Sequence, residues 1–551
     1  MNRLYYGDCF TIMQEMPLEH VDLIYLDPPF NSDRSYNAIY IDETGMPLPD
    51  QVEAFCDMWI LDSRRERAIR TMPILLRENG IDDATTEFWK IWMNALRDTQ
   101  PRLLAYLSYM VERLIIMKRI LKPTGSIYLH CDPTASHYIK IMMDGIFGHD
   151  NFRNEIIWKR HTSLAKGSQH DPKSWGTTTD HILFYAMPNA TLKPYRPMDE
   201  DERNRQFPHV DKNGNRYYDD SAHLFRTPGM GDRPNLCYVW RGFENKSSAG
   251  WRLSKERLEE EYQKGNVVIL PDGKLQRRKY ETDYKGKQAG NIWDDIHPAL
   301  GNERMGYFTQ KPLALLERII QASSQPGDIV LDPFCGCATT IEAAQKLGRK
   351  WIGIDIAIHA IKRVASVRLE ERMGLKEGKD FFVEGVPRNI EGAQDLWERD
   401  KYHFQKWAVE QVNGFVTSKK TSDGGIDGRL YFRKDWQAKS LDSMVLEVKG
   451  GKHVSIADVR ALKGVLDNDN ALMAGLIVMN KPNRTQSRNF NNFMAQAGFL
   501  TIDGFDYPRM QLLSVEEIFE GKRFVTPSVV GKTDNRPKTI TGWETVQAHN
   551  L

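Results

Sequence analysis

One short stretch combines the residue types needed to act on an amine attached to an aromatic ring. The apolar run "VDLIYL" ends in Asp27, Pro28, Pro29 and Phe30. Proline donates no hydrogen bond to a sheet and fixes its own φ, so a strand is predicted to end here. A carboxylate and a rigid carbonyl can accept hydrogen bonds from both N–H groups of the amine, and Phe30 can stack on an unpaired base. The plainer alternative is an ordinary strand-ending turn.

A second acidic turn follows another apolar run. The strand predicted in "DIVLDPFCG" ends in Asp332, and Phe334 and Gly336 follow it. A second predicted strand, "KWIGID", ends in Asp355. Glycine allows close approach of a ligand to the backbone, and an acid about twenty residues further on can bind ribose hydroxyls. Because the loop has too few glycines for a pyrophosphate, a nucleoside cofactor such as S-adenosylmethionine fits better than a dinucleotide. An ordinary strand–turn–helix is the alternative.

The last third of the chain contains a different acidic and basic group. Asp427 lies in the glycine-flanked turn "GGIDG", and Glu447 and Lys449 end the predicted strand "VLEVK". Glu447 and Lys449 share one face because side chains alternate along a strand. Two carboxylates can hold a divalent cation, while a lysine orients or deprotonates water for attack on a phosphodiester. A surface hairpin is the alternative.

These residues belong to a long chain of ordinary composition. A length of 551 residues exceeds what one core supports, so two to four domains are expected. Strands and helices alternate in the first and third quarters, which predicts an α/β fold with a mostly parallel sheet. Ligand sites of such sheets lie at the carboxyl ends of the strands, where Asp27 and Asp132 are predicted to be.

Charge and cysteine content exclude several classes of protein. The formal net charge is +1, so any basic surface must be local and the chain is not a uniformly basic nucleic-acid binder. The six cysteines are scattered and form no CxxC pair, which argues against a disulfide framework or a zinc site and favours a reducing cytoplasm. No segment approaches the apolar length of a membrane span or a signal peptide.

The two acidic turns together resemble one enzyme family. The order "GDC…LDPPF" followed by "TQKP…LDPFCG" is similar to the β group of amino-methylating DNA methyltransferases. In that group a catalytic half precedes a cofactor-binding half, and the target-recognition region lies between them. The resemblance implies that Asp27, Pro28, Pro29 and Phe30 form the catalytic loop. An acid rather than serine at position 27 favours adenine N6 over cytosine N4 as the methylated atom.

The same resemblance implies a site for S-adenosylmethionine. Its residues are Asp332, Phe334 and Gly336, with Asp355 on the ribose, Asp8 near the adenine and Lys311 in the segment lining the methionine end. The family usually reads Gly-x-Gly after the phenylalanine, whereas this chain has Gly336, Cys337 and Ala338. The extra methyl group of Ala338 should be tolerated but affects the tightest part of the loop.

The C-terminal group resembles the PD-(D/E)xK nuclease fold, especially Mrr-like restriction endonucleases. This resemblance implies that Asp427, Glu447 and an acid in the preceding helix, Glu410, hold Mg²⁺, and that Lys449 is catalytic. The predicted architecture is therefore an α/β, Rossmann-like methyltransferase with an inserted target-recognition region and a C-terminal α/β endonuclease-like domain. The predicted boundaries are 1–159 for the catalytic half, 160–290 for target recognition, 291–375 for the cofactor-binding half, 376–400 for a linker, 401–525 for the nuclease and 526–551 for a tail.

Three functions remain open at this point. The first is a cytoplasmic restriction-modification enzyme that methylates adenine N6 in double-stranded DNA and carries its own Mg²⁺-dependent nuclease. The second is a methyltransferase, including one acting on cytosine N4, whose C-terminal domain only binds DNA. The third is a non-catalytic DNA-binding regulator that responds to S-adenosylmethionine. No membrane partner is expected, and the sequence leaves a homodimer open.

Overall fold

Two compact units make up the chain: Met1–Leu192 with Asn291–Leu551, and Lys193–Gly290. The computed structural model describes residues 2–28, 35–37, 53–56, 59, 61–160, 177–196, 198–245, 249–300, 303, 310–417, 425–432, 442–451, 453–502 and 504–527. No helix in these ranges is long and apolar enough to cross a membrane.

The N-terminal part contains seven strands and five helices in its described residues. They are β1 (Asn2–Tyr6), α1 (Cys9–Gln14), β2 (Val21–Leu26), β3 (Ser35–Asn37), β4 (Glu53–Cys56), α2 (Ser63–Glu78), α3 (Asp83–Thr99), α4 (Pro101–Ile120), β5 (Leu121–Cys131), α5 (Ser136–Phe147), β6 (Phe152–Lys159) and β7 (Thr179–Ala186). Aspartates cap α1, α2 and α3, because a side-chain carboxylate accepts from the free N–H groups of a first helical turn.

The unit Lys193–Gly290 is small and has its own core. Its elements are β8 (Tyr195–Arg196), α6 (Glu200–Gln206), β9 (His209–Val210), β10 (Arg216–Asp220), α7 (Lys255–Gln263), β11 (Val267–Ile269), β12 (Leu275–Tyr280) and β13 (Lys287–Gln288). A four-stranded sheet has the order β11-β12-β10-β9. The apolar cluster beside it comprises Leu224, Trp240, Trp251, Leu258, Val267 and Leu275.

After this unit the chain returns to the first one. The next elements are β14 (Ile292–Trp293), α8 (Leu313–Ser323), β15 (Ile329–Asp332), α9 (Thr339–Lys346), β16 (Lys350–Asp355), α10 (Ile358–Arg363), which continues as a π-helix over Val364–Arg372, and β17 (Phe381–Glu384). The C-terminal elements are α11 (Ile390–Arg399), α12 (Lys401–Gln411), β18 (Phe415–Val416), β19 (Gly428–Phe432), β20 (Asp442–Lys449), α13 (Ile456–Asn468), β21 (Met473–Val478), α14 (Arg484–Met494), β22 (Phe499–Ile502), β23 (Phe505–Pro508), β24 (Met510–Ser514) and α15 (Val515–Phe519).

A nine-stranded sheet joins the two halves of the first unit. Its order is β14-β6-β7-β5-β2-β15-β16-β1-β17, and β7 alone runs antiparallel to its neighbours β5 and β6. The strand β15 comes from the second half and pairs in parallel with β2 on one side and β16 on the other. The carboxyl ends of β1, β2, β15 and β16 therefore meet at one edge. This arrangement confirms the predicted α/β, Rossmann-like fold.

Two predicted boundaries differ from the structure. The segment 376–400, read as a linker, contains β17, which pairs in parallel with β1, and α11. Its polar composition hides the buried residues Phe381, Ala393 and Leu396, which pack into the core. The predicted recognition region 160–290 includes β7, which belongs to the nine-stranded sheet, so the separate unit begins at Lys193.

The C-terminal part forms a second sheet that shares a core with the first. Its order is β18-β19-β20-β21-β24, with β20, β21 and β24 parallel and β19 antiparallel to β18 and β20. One continuous apolar cluster contains Leu4 and Tyr6 of β1 together with Phe404 and Trp407 of α12. Consequently the C-terminal part is not a tethered module but packs directly on the first sheet.

This shared core predicts the outcome of shortening the chain. A chain ending at residue 375 lacks β17 and α12, which exposes the edge of β1 and the apolar surface beneath α12. We expect it to aggregate or to melt at a much lower temperature than the full chain in circular dichroism. A chain ending at residue 527 keeps β17, α12 and the second sheet, and it should melt at a higher temperature than the 375-residue chain. Equal melting temperatures for the 375-residue and full chains would contradict the shared core.

Candidate active site

Asp27 lies directly after β2, and a residue from the other half of the chain holds its carboxylate. The Lys311 ammonium Nζ is 2.5 Å from Asp27 Oδ2, and Lys311 is only 9% exposed. The second oxygen, Asp27 Oδ1, is buried and has no hydrogen-bond partner among the described residues. A buried acceptor without a partner costs free energy, so this oxygen is available to a ligand. Pro28 follows at the same edge, whereas Pro29 and Phe30 lie outside the described residues.

Asp8 occupies the matching position after β1. Its carboxylate caps α1 by accepting from Phe10 N at 2.9 Å, and Arg113 Nη2 lies 2.6 Å from the same Oδ1. The Arg113 side chain is buried and stacks on the Tyr109 ring, 3.4 Å from its centroid. Asp8 is therefore fixed in place at the carboxyl edge of the sheet.

Asp332 and Asp355 hold the loop that leads from β15 into α9. Asp355 accepts from Gly336 N through Oδ2 and from Ala357 N through Oδ1, both at 2.8 Å. Asp332 accepts from Phe334 N at 3.1 Å. Burial raises the pKa of Asp355 to about 6 and that of Asp332 to about 7. The strand-end carboxylates therefore determine the shape of the loop.

The same loop leaves room for a ligand at Gly336. This residue has φ +47°, and an added Cβ would meet only the Phe334 carbonyl oxygen, at 4.0 Å. Ala338, where the resembling family has glycine, also adopts the left-handed region, with φ 60° and ψ 39°. An L-residue there costs about 1–2 kcal/mol, yet the fully buried methyl group is accommodated. Alanine in place of glycine at position 338 therefore strains the backbone but does not fill the space at Gly336.

A buried polar network behind β2 was missed by the sequence analysis. The Tyr25 hydroxyl lies 3.0 Å from His130 Nδ1, and His130 Nε2 lies 3.1 Å from Asp180 Oδ2. Arg160 Nη1 is 3.1 Å from the other oxygen of Asp180. Tyr25, His130 and Asp180 are at most 2% exposed. The signal in the sequence is His130 within the apolar strand "SIYLHC" and Asp180 at the start of the apolar run "DHILFYA".

This network also acts on the lysine beside Asp27. Burial alone would raise the pKa of Asp180, but the hydrogen bond from His130 and the charges of His130, Lys311 and Arg160 bring it to about 2. Lys311 thus pairs with Asp27 and also acts on Asp180 through its charge. The buried network of β5 and β7 is therefore coupled electrostatically to the ion pair at the candidate site.

The C-terminal acidic and basic residues also lie together. Lys449 Nζ is 2.6 Å from Glu447 Oε1, which agrees with the predicted shared face. Asp427 is joined to the same strand, because its N–H donates to the Leu446 carbonyl at 2.8 Å and its Oδ2 accepts from Val448 N at 2.7 Å. Glu447 Oε2 is buried without a hydrogen-bond partner in the described part of the chain, and burial raises the Glu447 pKa.

Glu410 is not part of this group. It lies in α12, where burial raises its pKa to about 8 although the charges of Lys406 and Lys362 lower it. The described residues contain no group of three or more His, Cys, Asp or Glu that could hold a metal ion. The predicted ligand set of Asp427, Glu447 and Glu410 therefore differs from the structure, because α12 turns Glu410 towards α10.

Comparisons with known proteins place these features in context. A sequence model of a DNA methylase family, N6/N4 methyltransferases, matches residues 21–366. The chain is 31% identical over 265 residues to the type II methyltransferase M.EcaI of Enterobacter cloacae, covering 47% of this chain and 56% of that protein. It is 27% identical over 369 residues to the Mod subunit of the type III restriction-modification enzyme StyLTI of Salmonella typhimurium, covering 62% of this chain and 49% of that protein.

A shorter match has higher identity. The DNA adenine methyltransferase YhdJ of Escherichia coli K12 is 45% identical over 105 residues, which covers 17% of this chain and 36% of that protein. The chain spans about half the length of the first curated relatives it matches.

The network behind β2 predicts a stability effect of His130. Replacing His130 by alanine leaves the Tyr25 hydroxyl and the Asp180 carboxylate without their partner and opens a cavity in the sheet. Unpaired buried groups cost about 1–3 kcal/mol each, so we expect a clear fall in the urea midpoint of unfolding. His137→Ala removes an exposed imidazole from α5 and should leave the midpoint unchanged. Equal midpoints for the two variants would show that the network does not stabilise the fold.

Proposed function

Because the chain belongs to the N6/N4 family of DNA methylases, we propose that it transfers a methyl group from S-adenosylmethionine to an exocyclic amino group in duplex DNA. The observation that carries this proposal is Asp27, whose Oδ1 is buried and has no partner within the described ranges while Oδ2 pairs with Lys311. Asp27 Oδ1 can therefore accept a hydrogen bond from a ligand, and an amino group supplies the donor.

The role of Asp27 follows from the chemistry of the amine. The nitrogen lone pair of adenine or cytosine is conjugated with the ring, so the nitrogen is a weak nucleophile. Hydrogen bonds from its two N–H groups to Asp27 Oδ1 and the Pro28 carbonyl would orient the nitrogen and stabilise the positive charge that develops on it. Lys311 fixes the orientation of the carboxylate. Phe30 is proposed to stack on the base once it has left the duplex.

The edge of the nine-stranded sheet fits the proposed cofactor. Gly336 leaves open space beside the loop. The half-buried Asp355 ends β16, and the half-buried Asp8 follows β1. We assign Asp355 to the ribose and Asp8 to the adenine, with Asp332 and Phe334 shaping the loop. Lys311, which pairs with Asp27, is assigned to the methionine end of the cofactor by the same resemblance. When bound, the cofactor supplies a methyl group activated by its sulfonium.

Adenine N6 is the proposed target atom. The acid at position 27 favours adenine over cytosine N4 by resemblance, and the relative YhdJ is a DNA adenine methyltransferase. The unit Lys193–Gly290 is proposed to read the DNA sequence. Its exposed cations can contact phosphates and base edges, whereas Arg278 and Arg277 already pair with Asp219 and Glu261.

A second activity is proposed for the C-terminal domain. Asp427, Glu447 and Lys449 lie together at adjoining strands, and Glu447 Oε2 has no partner in the residues described. We propose that the two carboxylates hold Mg²⁺ and that Lys449 orients the water that attacks a phosphodiester. Glu410 has no part in this centre. A C-terminal domain that only binds DNA is the alternative.

The methyl-transfer proposal is tested by Asp27→Asn. The amide keeps the size of the carboxylate but removes its charge, and stabilisation by such a group is worth about 2–4 kcal/mol, so transfer from tritiated cofactor should fall about 10²–10³-fold. Cofactor affinity, measured by calorimetry, should change little because Asp332 and Asp355 are intact. Asp83→Asn is the matched control, since Asp83 is an exposed carboxylate at the start of α3 that pairs with Arg77. Wild-type turnover in Asp27→Asn would refute the catalytic assignment.

The nuclease proposal is tested by Lys449→Ala in a plasmid-nicking assay with Mg²⁺. We expect cleavage to be lost while methyl transfer continues, because Lys449 lies in β20 of the second sheet and pairs with Glu447. Chelation of Mg²⁺ should stop cleavage and should not affect methyl transfer. Lys463→Ala removes a surface cation that pairs with Asp467 in the same domain and should leave cleavage intact. If the wild-type protein never cuts unmethylated DNA, the nuclease proposal fails, and the alternative that the C-terminal domain only binds DNA is favoured.

A further inference from the structure

Helix α12 packs against the end of β1 through a buried pair of rings. Tyr6 is the last residue of β1 and lies two positions before Asp8. Its ring meets His403 of α12 edge to face, with ring centroids 4.4 Å apart. Tyr6 and His403 are each 3% exposed. A helix of the C-terminal domain therefore supports the strand that carries the carboxylate assigned to the cofactor adenine.

The same helix is bonded to α10. Lys362 Nζ of α10 donates to Gln411 Oε1 of α12 at 3.1 Å. Lys362 follows Asp355 by seven residues. Burial raises the pKa of Glu410 to about 8, and the charge of Asp355 also raises it. Glu410 is thus within electrostatic reach of the carboxylate assigned to the ribose.

Several polar atoms at this contact are buried without a hydrogen bond to any described residue. They are Tyr6 Oη, His403 Nε2, Glu410 Oε2 and Gln411 Nε2. Buried polar atoms are nearly always paired, and a protein keeps such unpaired groups at a cost in stability. Burial, together with the Lys406 charge, lowers the pKa of His403 to about 4, so its ring is neutral near pH 7. A set of neutral donors and acceptors is therefore available next to the two strand ends.

We infer that α12 is part of the cofactor site, with His403 and Glu410 as residues that position the ends of β1 and β16. The inference rests on the proposed function for the identity of the ligand. Because α12 contacts Tyr6, two residues before Asp8, and Lys362, seven residues after Asp355, cofactor binding should order α12. By reciprocity, loss of contacts from α12 should weaken cofactor binding. The C-terminal domain would then be required for methyl transfer irrespective of any nuclease activity.

The inference explains two features that the methyl-transfer chemistry does not use. It gives a role to Glu410, which the nuclease resemblance assigned to a metal and which the structure places against α10. It also accounts for the shared apolar core of β1 and α12. When two elements pack directly on each other, ligand binding that orders one of them also orders the other. His403 and Glu410 are positioning residues, because neither is assigned to the reacting groups.

Variants of α12 in the full chain test the inference. Glu410→Gln keeps the side-chain size, and His403→Ala removes the ring beside Tyr6. Since coupling between sites is commonly 5–150-fold, we expect each variant to raise the calorimetric dissociation constant of S-adenosylmethionine about tenfold. At saturating cofactor and DNA the turnover number should stay within about twofold, because the catalytic loop is unchanged. Tyr402→Ala, on the exposed side of the same helix, should match the wild type.

A measurement on the wild type keeps the test independent of whether the variants fold. Saturating S-adenosylmethionine should slow amide hydrogen exchange in Lys401–Gln411, whereas exchange in Ile456–Asn468 of α13 should not change. Suppose that the wild type binds the cofactor, but amide exchange in α12 does not change and Glu410→Gln binds the cofactor as tightly as the wild type. This result would overturn the inference about α12 and leave the proposed function standing. A wild type that binds no S-adenosylmethionine would overturn the proposed function and this inference with it.

Discussion

The ion pair between Asp27 and Lys311 is the constraint on which the rest of the site depends. A carboxylate removed from water needs a partner, and this partner comes from 284 residues further along the chain. The pairing is possible only because β15 of the second half inserts between β2 and β16. The charge of Lys311 also lowers the pKa of Asp180, which belongs to the buried network with His130.

The strand-end acids could be predicted from the sequence, but their partners could not. An apolar run ending in an acid predicts a strand whose carboxylate lies at the ligand edge, and this reasoning placed Asp27, Asp332 and Asp355 correctly in the fold. Local patterns carry no information about which distant cation meets which carboxylate. The pairing of Lys311 with Asp27 and the burial of His130 against Asp180 both depend on strand order. Only the three-dimensional sheet shows them.

The C-terminal domain shows the same division between local and long-range information. Alternation along a strand predicted that Glu447 and Lys449 share a face, and their ion pair agrees with that prediction. The rotation of α12 is set instead by packing on β1 and α10, which sequence periodicity does not encode, so Glu410 lies away from the metal group predicted for it. The strand β17 was hidden because charged and glycine residues flank a short apolar run. Its pairing with β1 makes the predicted linker part of the core.

Nucleoside mass spectrometry of duplex DNA treated with the full chain and isotopically labelled S-adenosylmethionine tests the central claim most directly. The account predicts labelled N6-methyladenine, because Asp27 Oδ1 has no partner among the described residues and can accept from an amino group, and because an acid at this position favours adenine by family resemblance. Labelled N4-methylcytosine would keep the amino-group chemistry but contradict adenine as the target. Cofactor binding without any labelled base would contradict the account.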